Sequence, residues 1–264
     1  MLSIILSRRD FRESDQIISL FTKDQGKLEL LARGVKKITS KNSAHLEPFS
    51  LVDIVVEKGK EIDHLTKVQP VEFFSSVRKN AEKSLAASYL VSVVDKLTHT
   101  GEREERIFDL LKSWLEFIAS VETHCNALVE THCNALVEAH CNAPVLVDGF
   151  IIKLLNYLGF APELKICVVC GIEEIADLYP AGGGVICKVC REKKEKLGER
   201  ILNCNAEQAK NLLLLLEGDW QLINNLKFKG DEADLLHNLV QEYAVFHSER
   251  KIFDWQKFDK RLNS

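Results

Sequence analysis

The sequence offers little that would carry a chain across a membrane, out of the cell or into hydrolytic chemistry. Its longest apolar runs, such as Leu212–Leu216, fall far short of the ~20 residues a bilayer crossing requires. The N-terminal stretch MLSIILSRRDFRESD places its arginines after a very short apolar run, the reverse order to a secretory signal, so a cytoplasmic location is expected. No HExxH motif, no P-loop and no paired-carboxylate motif outside ordinary helix faces is present. Charge of one sign does not dominate either: 35 Lys+Arg stand against 39 Asp+Glu, a formal net charge of -4, which argues against nucleic acid coating the whole surface.

What is present makes an ordinary globular chain of 264 residues, 46% hydrophobic and 28% charged, long enough for one large domain or two modest ones. The charge is unevenly spread. Residues 1–80 hold 14 Lys+Arg and 11 Asp+Glu, a balance of +3, and the remainder hold 21 and 28, a balance of -7. A mildly basic front on an acidic back suits a polyanion site confined to one end. The eight cysteines, without a secretory signal, read as thiols or metal ligands rather than disulfides.

The first 74 residues read as β structure. Strands are expected at Leu2–Leu6, Gln16–Phe21, Lys27–Ala32, Phe49–Glu57 and from Ile62 to about Val68, with turn signals at Lys23–Gly26 and Lys58–Lys60. Five short strands in this length fit a small closed barrel such as the OB-fold, and an SH3-like barrel shares the signature. After Asn80 the period changes to that of amphipathic helices, at Ala81–Leu97, Arg103–Ile118, Leu146–Leu158, Ala206–Leu216 and Asp231–Phe246. The expected fold is therefore α+β and multidomain: an N-terminal OB-like barrel over 1–80, then a helical domain over 81–264.

Residues 121–144 are three copies of an eight-residue unit, VETHCNAL, VETHCNAL and VEAHCNAP. His124, His132 and His140 each precede a cysteine, which raises a His/Cys metal array. Helical geometry disfavours it, because eight residues turn each copy by about 80° and separate successive histidines by ~12 Å. An expanded linker is the expectation.

Cys167-Val168-Val169-Cys170-Gly171 is followed, after sixteen intervening residues, by Cys187-Lys188-Val189-Cys190. Two CxxC knuckles supply the four thiolates of a tetrahedral site suited to Zn²⁺, and the Tyr179–Gly184 stretch between them folds one knuckle back on the other. Four thiolates leave no open position for water, so a structural ion, one per chain, in a finger over 163–195 is expected. Cys204 stands outside the set.

Basic residues concentrate in the front domain: Arg8, Arg9 and Arg12 in the first connection, then Lys27, Arg33, Lys36, Lys37 and Lys41. In an OB-like barrel, cations of this kind hold phosphates, and Phe11 among three arginines is the stacking candidate. The alternative for each is a solvated charge or an aromatic tucked onto the barrel end. Three functions compete on these residues: a non-catalytic nucleic-acid binder, an adaptor that binds only proteins, and a zinc-dependent hydrolase. The closed ligand set disfavours the last.

The segments ILSRRDFRESDQIISLFTKDQGKLELLARGVKK, LEPFSLVDIVVEKGKEIDHLTKVQP and LLNYLGFAPELKICVVCG, with the second cysteine pair, resemble the bacterial RecO family over nearly the whole chain. The triplicated octad is no part of that family's pattern. The resemblance implies a DNA repair and recombination mediator, not an enzyme, that binds single- and double-stranded DNA and anneals complementary strands. It implies RecR as a partner at the barrel, the single-strand DNA-binding protein at the helical domain, RecA loaded indirectly, and a nucleoid-associated cytoplasmic setting.

Overall fold

The computed structural model describes residues 1–37, 43–121, 142–248, 252, 254 and 255. Alternating apolar residues at the front of the chain form β1 (Leu2–Asp10), β2 (Gln16–Thr22), β3 (Gly26–Ala32), β4 (Leu51–Glu57) and β5 (His64–Glu72). The first three strands form an antiparallel meander, and β4 runs antiparallel to both β1 and β5. A parallel pairing of Leu31 with His64 joins β3 to β5 and closes the barrel in the order β1-β2-β3-β5-β4. This is the OB-like topology, which settles the choice the strand pattern left open.

The first strand corrects an expectation. Arg8 and Arg9 lie on β1, opposite Ile18 and Ile17, because the β-branched partners carry the hairpin ladder on to Asp10 and Gln16. Inside the barrel, Ile5, Ile18, Leu20, Leu30, Val52 and Ile54 pack together. Ile4, Leu6, Phe21 and Leu51 join the main core of the helical part instead. Barrel and helices therefore share apolar packing rather than meeting across a wet seam.

The helical part begins with α1 (Ser75–Lys79), α2 (Ala81–Leu97), α3 (Glu105–Ser120) and α4 (Ala143–Tyr157). Asn80 starts α2, its side chain accepting from the Lys83 amide at 2.9 Å. Helix α4 buries eleven of its fifteen residues, ten of them apolar and the other Asp148, which makes it the central rod of the bundle. It packs against α2, α3 and the later helices α6 (Ala206–Glu217), α7 (Trp220–Asn224) and α8 (Glu232–His247). Trp114 on α3 fixes it further, donating its indole N–H to the Leu146 carbonyl at 3.2 Å.

Between α4 and α6 sits a small module of β6 (Asp177–Tyr179), β7 (Gly184–Ile186), α5 (Lys188–Glu195) and β8 (Leu202–Asn203). Strand β8 pairs with β6, so the module's sheet runs past residue 195, where the cysteine spacing alone ended it. No described helix is long and apolar enough to cross a membrane.

Candidate metal centre and nucleic-acid interface

The cysteine module is built from the two knuckles upward. Gly171 takes φ +78°, a left-handed conformation that lets the chain curl after Cys170, and its amide donates to the Cys167 carbonyl at 2.8 Å. The Val168 amide donates to Val185 at 2.9 Å, which ties the first knuckle to β7. The second knuckle opens α5, whose Arg191 amide donates to the Cys187 carbonyl at 2.9 Å. Arg191 also pairs with the buried Asp177 of β6 at 3.0 Å, joining helix to sheet.

The Sγ atoms of Cys167, Cys170, Cys187 and Cys190 all lie within 4.8 Å of one another. Cys170 and Cys187 approach to 3.7 Å. A tetrahedral ion with metal–sulfur bonds of about 2.3 Å sets its sulfurs about 3.8 Å apart, so the four residues fit such an ion. Burial pushes the Cys167 thiol up, but backbone amides of the knuckles outweigh it and bring the thiol down to about 6. Burial and the neighbouring thiols push Cys190 up to about 12. A set this crowded ionises fully only around a compensating cation. Cys204 is buried outside the cluster, and burial pushes its thiol up to about 12, consistent with a core residue.

The cations form a second site at one end of the barrel. Arg8, Arg9, Phe11, Arg12, Arg33, Lys36 and Lys37 are all exposed. The hairpin between β1 and β2 and the turn leaving β3 are joined directly: the Lys36 amide donates to the Ser14 carbonyl at 3.1 Å, and Gly34 donates to Asp15 at 2.8 Å. Two clusters more than twenty residues apart in sequence thus become one surface. Phe11 is exposed at the tip, with the Arg12 guanidinium 5.1 Å from its ring. Acidic neighbours engage part of the set: Arg8 with Glu47 at 2.8 Å, Arg9 with Glu29 at 3.1 Å, and Lys36 with Asp10 at 2.7 Å. Arg33 approaches the His64 ring nitrogen at 3.2 Å, and Lys37 has no ion-pair partner among the described residues.

One expected cation is elsewhere. Lys27 is buried, and its ammonium pairs with Asp95 of α2 at 2.8 Å. It faces outward from the barrel, but helix α2 covers the barrel at that point, so it ties the barrel to the helical bundle and is not part of the exposed surface. Lys41 and the octad residues 122–141 lie outside the described residues. Asp15, which joins the two halves of the cationic end, had no signal in the sequence beyond its place in the RDFRESD segment.

These features define a class: a closed five-strand barrel with a cationic end, sharing a core with a helical bundle that carries a four-cysteine module. The sequence pattern described as Recombination protein O N terminal matches residues 3–74, and that described as Recombination protein O C terminal matches 78–136 and 127–255. The chain belongs to this family. The two C-terminal segments overlap at 127–136, inside the octad repeat, as a duplicated unit would produce. The chain is similar to the protein named DNA repair protein RecO of Desulforamulus reducens, 26% identical over 99% of this chain and 94% of that protein. It is also similar to those of the same name from Symbiobacterium thermophilum, 27% identical over 94% and 92%, and Alkaliphilus metalliredigens, 25% identical over 98% and 97%.

Proposed function

We propose that this protein is a non-catalytic DNA repair and recombination mediator that holds DNA on the cationic end of its barrel. The observation that carries the reading is the union of the β1–β2 hairpin with the β3 exit turn, which gathers cations and an exposed aromatic ring on one surface. Arg8, Arg9, Arg12, Arg33, Lys36 and Lys37, with Lys41, neutralise phosphates, and Phe11 stacks on a base of a single strand. Annealing then needs no bond chemistry: with phosphate repulsion reduced, complementary strands pair. Family membership supports the further partners, RecR at the barrel, the single-strand DNA-binding protein at the helical domain, and RecA through them. It equally supports a nucleoid-associated setting.

The four cysteines hold one structural Zn²⁺, which closes its coordination sphere with thiolates and offers no position to substrate. Five apolar side chains of the module, Ile166, Val169, Ile172, Val189 and Leu197, are exposed, and this favours a second reading in which the module serves protein contact.

Fluorescence anisotropy of a labelled single-stranded oligonucleotide across a salt series tests the proposal. Wild type binds with a negative salt slope, and the R33A/K36A/K37A variant loses affinity and part of that slope. Absence of wild-type binding at low salt overturns the DNA reading in favour of the adaptor.

A further inference from the structure

The cationic end contains one carboxylate whose contacts differ in kind from the rest. Asp10, Glu29 and Glu47 pair with cation side chains, whereas the Asp15 carboxylate accepts a backbone amide and a hydroxyl. Its Oδ1 accepts the Gly34 amide at 2.8 Å and the Ser14 hydroxyl at 3.3 Å. Its own carbonyl accepts the Phe11 amide at 3.1 Å and the Arg12 amide at 3.4 Å, and its amide donates to the Arg12 carbonyl at 3.3 Å. Asp15 therefore closes the hairpin tip that bears Phe11 and Arg12 and, through the same residue, fastens the turn that bears Arg33, Lys36 and Lys37. Gly34 takes φ +64°, which lets the turn bend so that its amide faces the carboxylate. The Gly34 hydrogen bond is the main cause holding the Asp15 carboxyl below its ordinary range.

We propose that Asp15 is a positioning residue for nucleic-acid binding, fixing the hairpin and the β3 exit turn as a single preformed phosphate and base contact. The inference rests on the DNA-binding reading above. It also makes a claim opposite in sign to simple electrostatics. Asp15 carries a negative charge in the middle of a surface meant for a polyanion, so on charge alone its removal tightens binding. As a positioning residue its removal weakens binding, because each phosphate contact then has to order a loop that was ordered beforehand.

The test compares Asp15→Ala, Asp15→Asn and Asp15→Glu in the full chain, with anisotropy on the same labelled oligonucleotide over a salt series and a thermal melt of each variant. Asp15→Asn loses the charge but keeps an acceptor for the Gly34 amide, and binds at least as tightly as wild type. Asp15→Ala loses both and binds about tenfold more weakly, with a log–log salt slope shallower by about one contact. Asp15→Glu keeps the charge but moves the acceptor by a methylene, and it too binds more weakly. That comparison stands even where the alanine variant fails to fold. Wild-type binding with Asp15→Ala or Asp15→Glu as tight as wild type overturns this inference alone. No wild-type binding removes the DNA-binding reading and this inference with it.

Discussion

Lys27 of β3 and Asp95 of α2 meet at 2.8 Å between Nζ and Oδ1, at the point where the barrel rests on the helical bundle. The same carboxylate accepts the Ser7 hydroxyl of β1 at 2.9 Å and the Ser19 hydroxyl of β2 at 2.6 Å, and Lys27 also donates to the Asp95 carbonyl. Three barrel strands thus converge on one helix residue. Burial raises the Asp95 carboxyl, but the hydrogen bonds from Lys27, Ser19 and Ser7 outweigh it and hold the group below its ordinary range.

Lys27→Met leaves that carboxylate without its cation in a largely buried place. The expected cost is about 2–3 kcal/mol, somewhat less than for a fully buried pair, measured by urea denaturation. Oligonucleotide affinity under native conditions stays at the wild-type level, since the residue is behind the barrel's exposed surface. Lost affinity with unchanged stability would return Lys27 to the DNA contacts.

Cys187→Ser removes one of four ligands from a module with a small apolar centre of its own. The variant releases its ion, and amide exchange quickens across β6, β7 and α5 while the barrel strands stay protected. Metal content of the folded variant, read by native mass spectrometry, gives the check. One ion retained per chain would contradict the four-cysteine assignment.

His237 of α8 is buried, with Nδ1 2.9 Å from Asp148 of α4 and Nε2 3.1 Å from Asp254. Burial lowers the imidazole's affinity for a proton, but the two carboxylates outweigh it and raise the group to about 9. Nearby Tyr89 is pushed above its ordinary range by burial, so it stays un-ionised through this window. A histidine raised in the folded state contributes fully below its unfolded value near 6.5, and the contribution is lost as pH rises through about 9. Wild type therefore loses on the order of 2–3 kcal/mol of stability between pH 6.5 and 9.5, and His237→Gln loses much less. Parallel pH profiles of the two proteins in urea titrations would rule the charged bridge out.

Much of the architecture was legible because its signals are short-range. Period two gave the barrel strands and period 3.6 the long helices, with α2 at its expected bounds after Asn80 and other ends displaced by a few residues where a partner strand decided them, as on β1 beside Ile17 and Ile18. The clustering of the four cysteines was legible, since each CxxC is a local knuckle and the connection between them is only sixteen residues long.

Local pattern therefore accounts for the barrel strands, the long helices, the four-cysteine cluster and the concentration of cations at the front of the chain. What each outward-facing residue meets is set instead by long-range packing. Alternation marks Lys27 as pointing out of the barrel, but whether "out" means water or helix α2 depends on a contact 68 residues away. The same holds for Asp15 and Gly34, and for His237 between Asp148 and Asp254. Their roles come from chain segments brought together by burying a shared apolar core, and no local period records which segments those are.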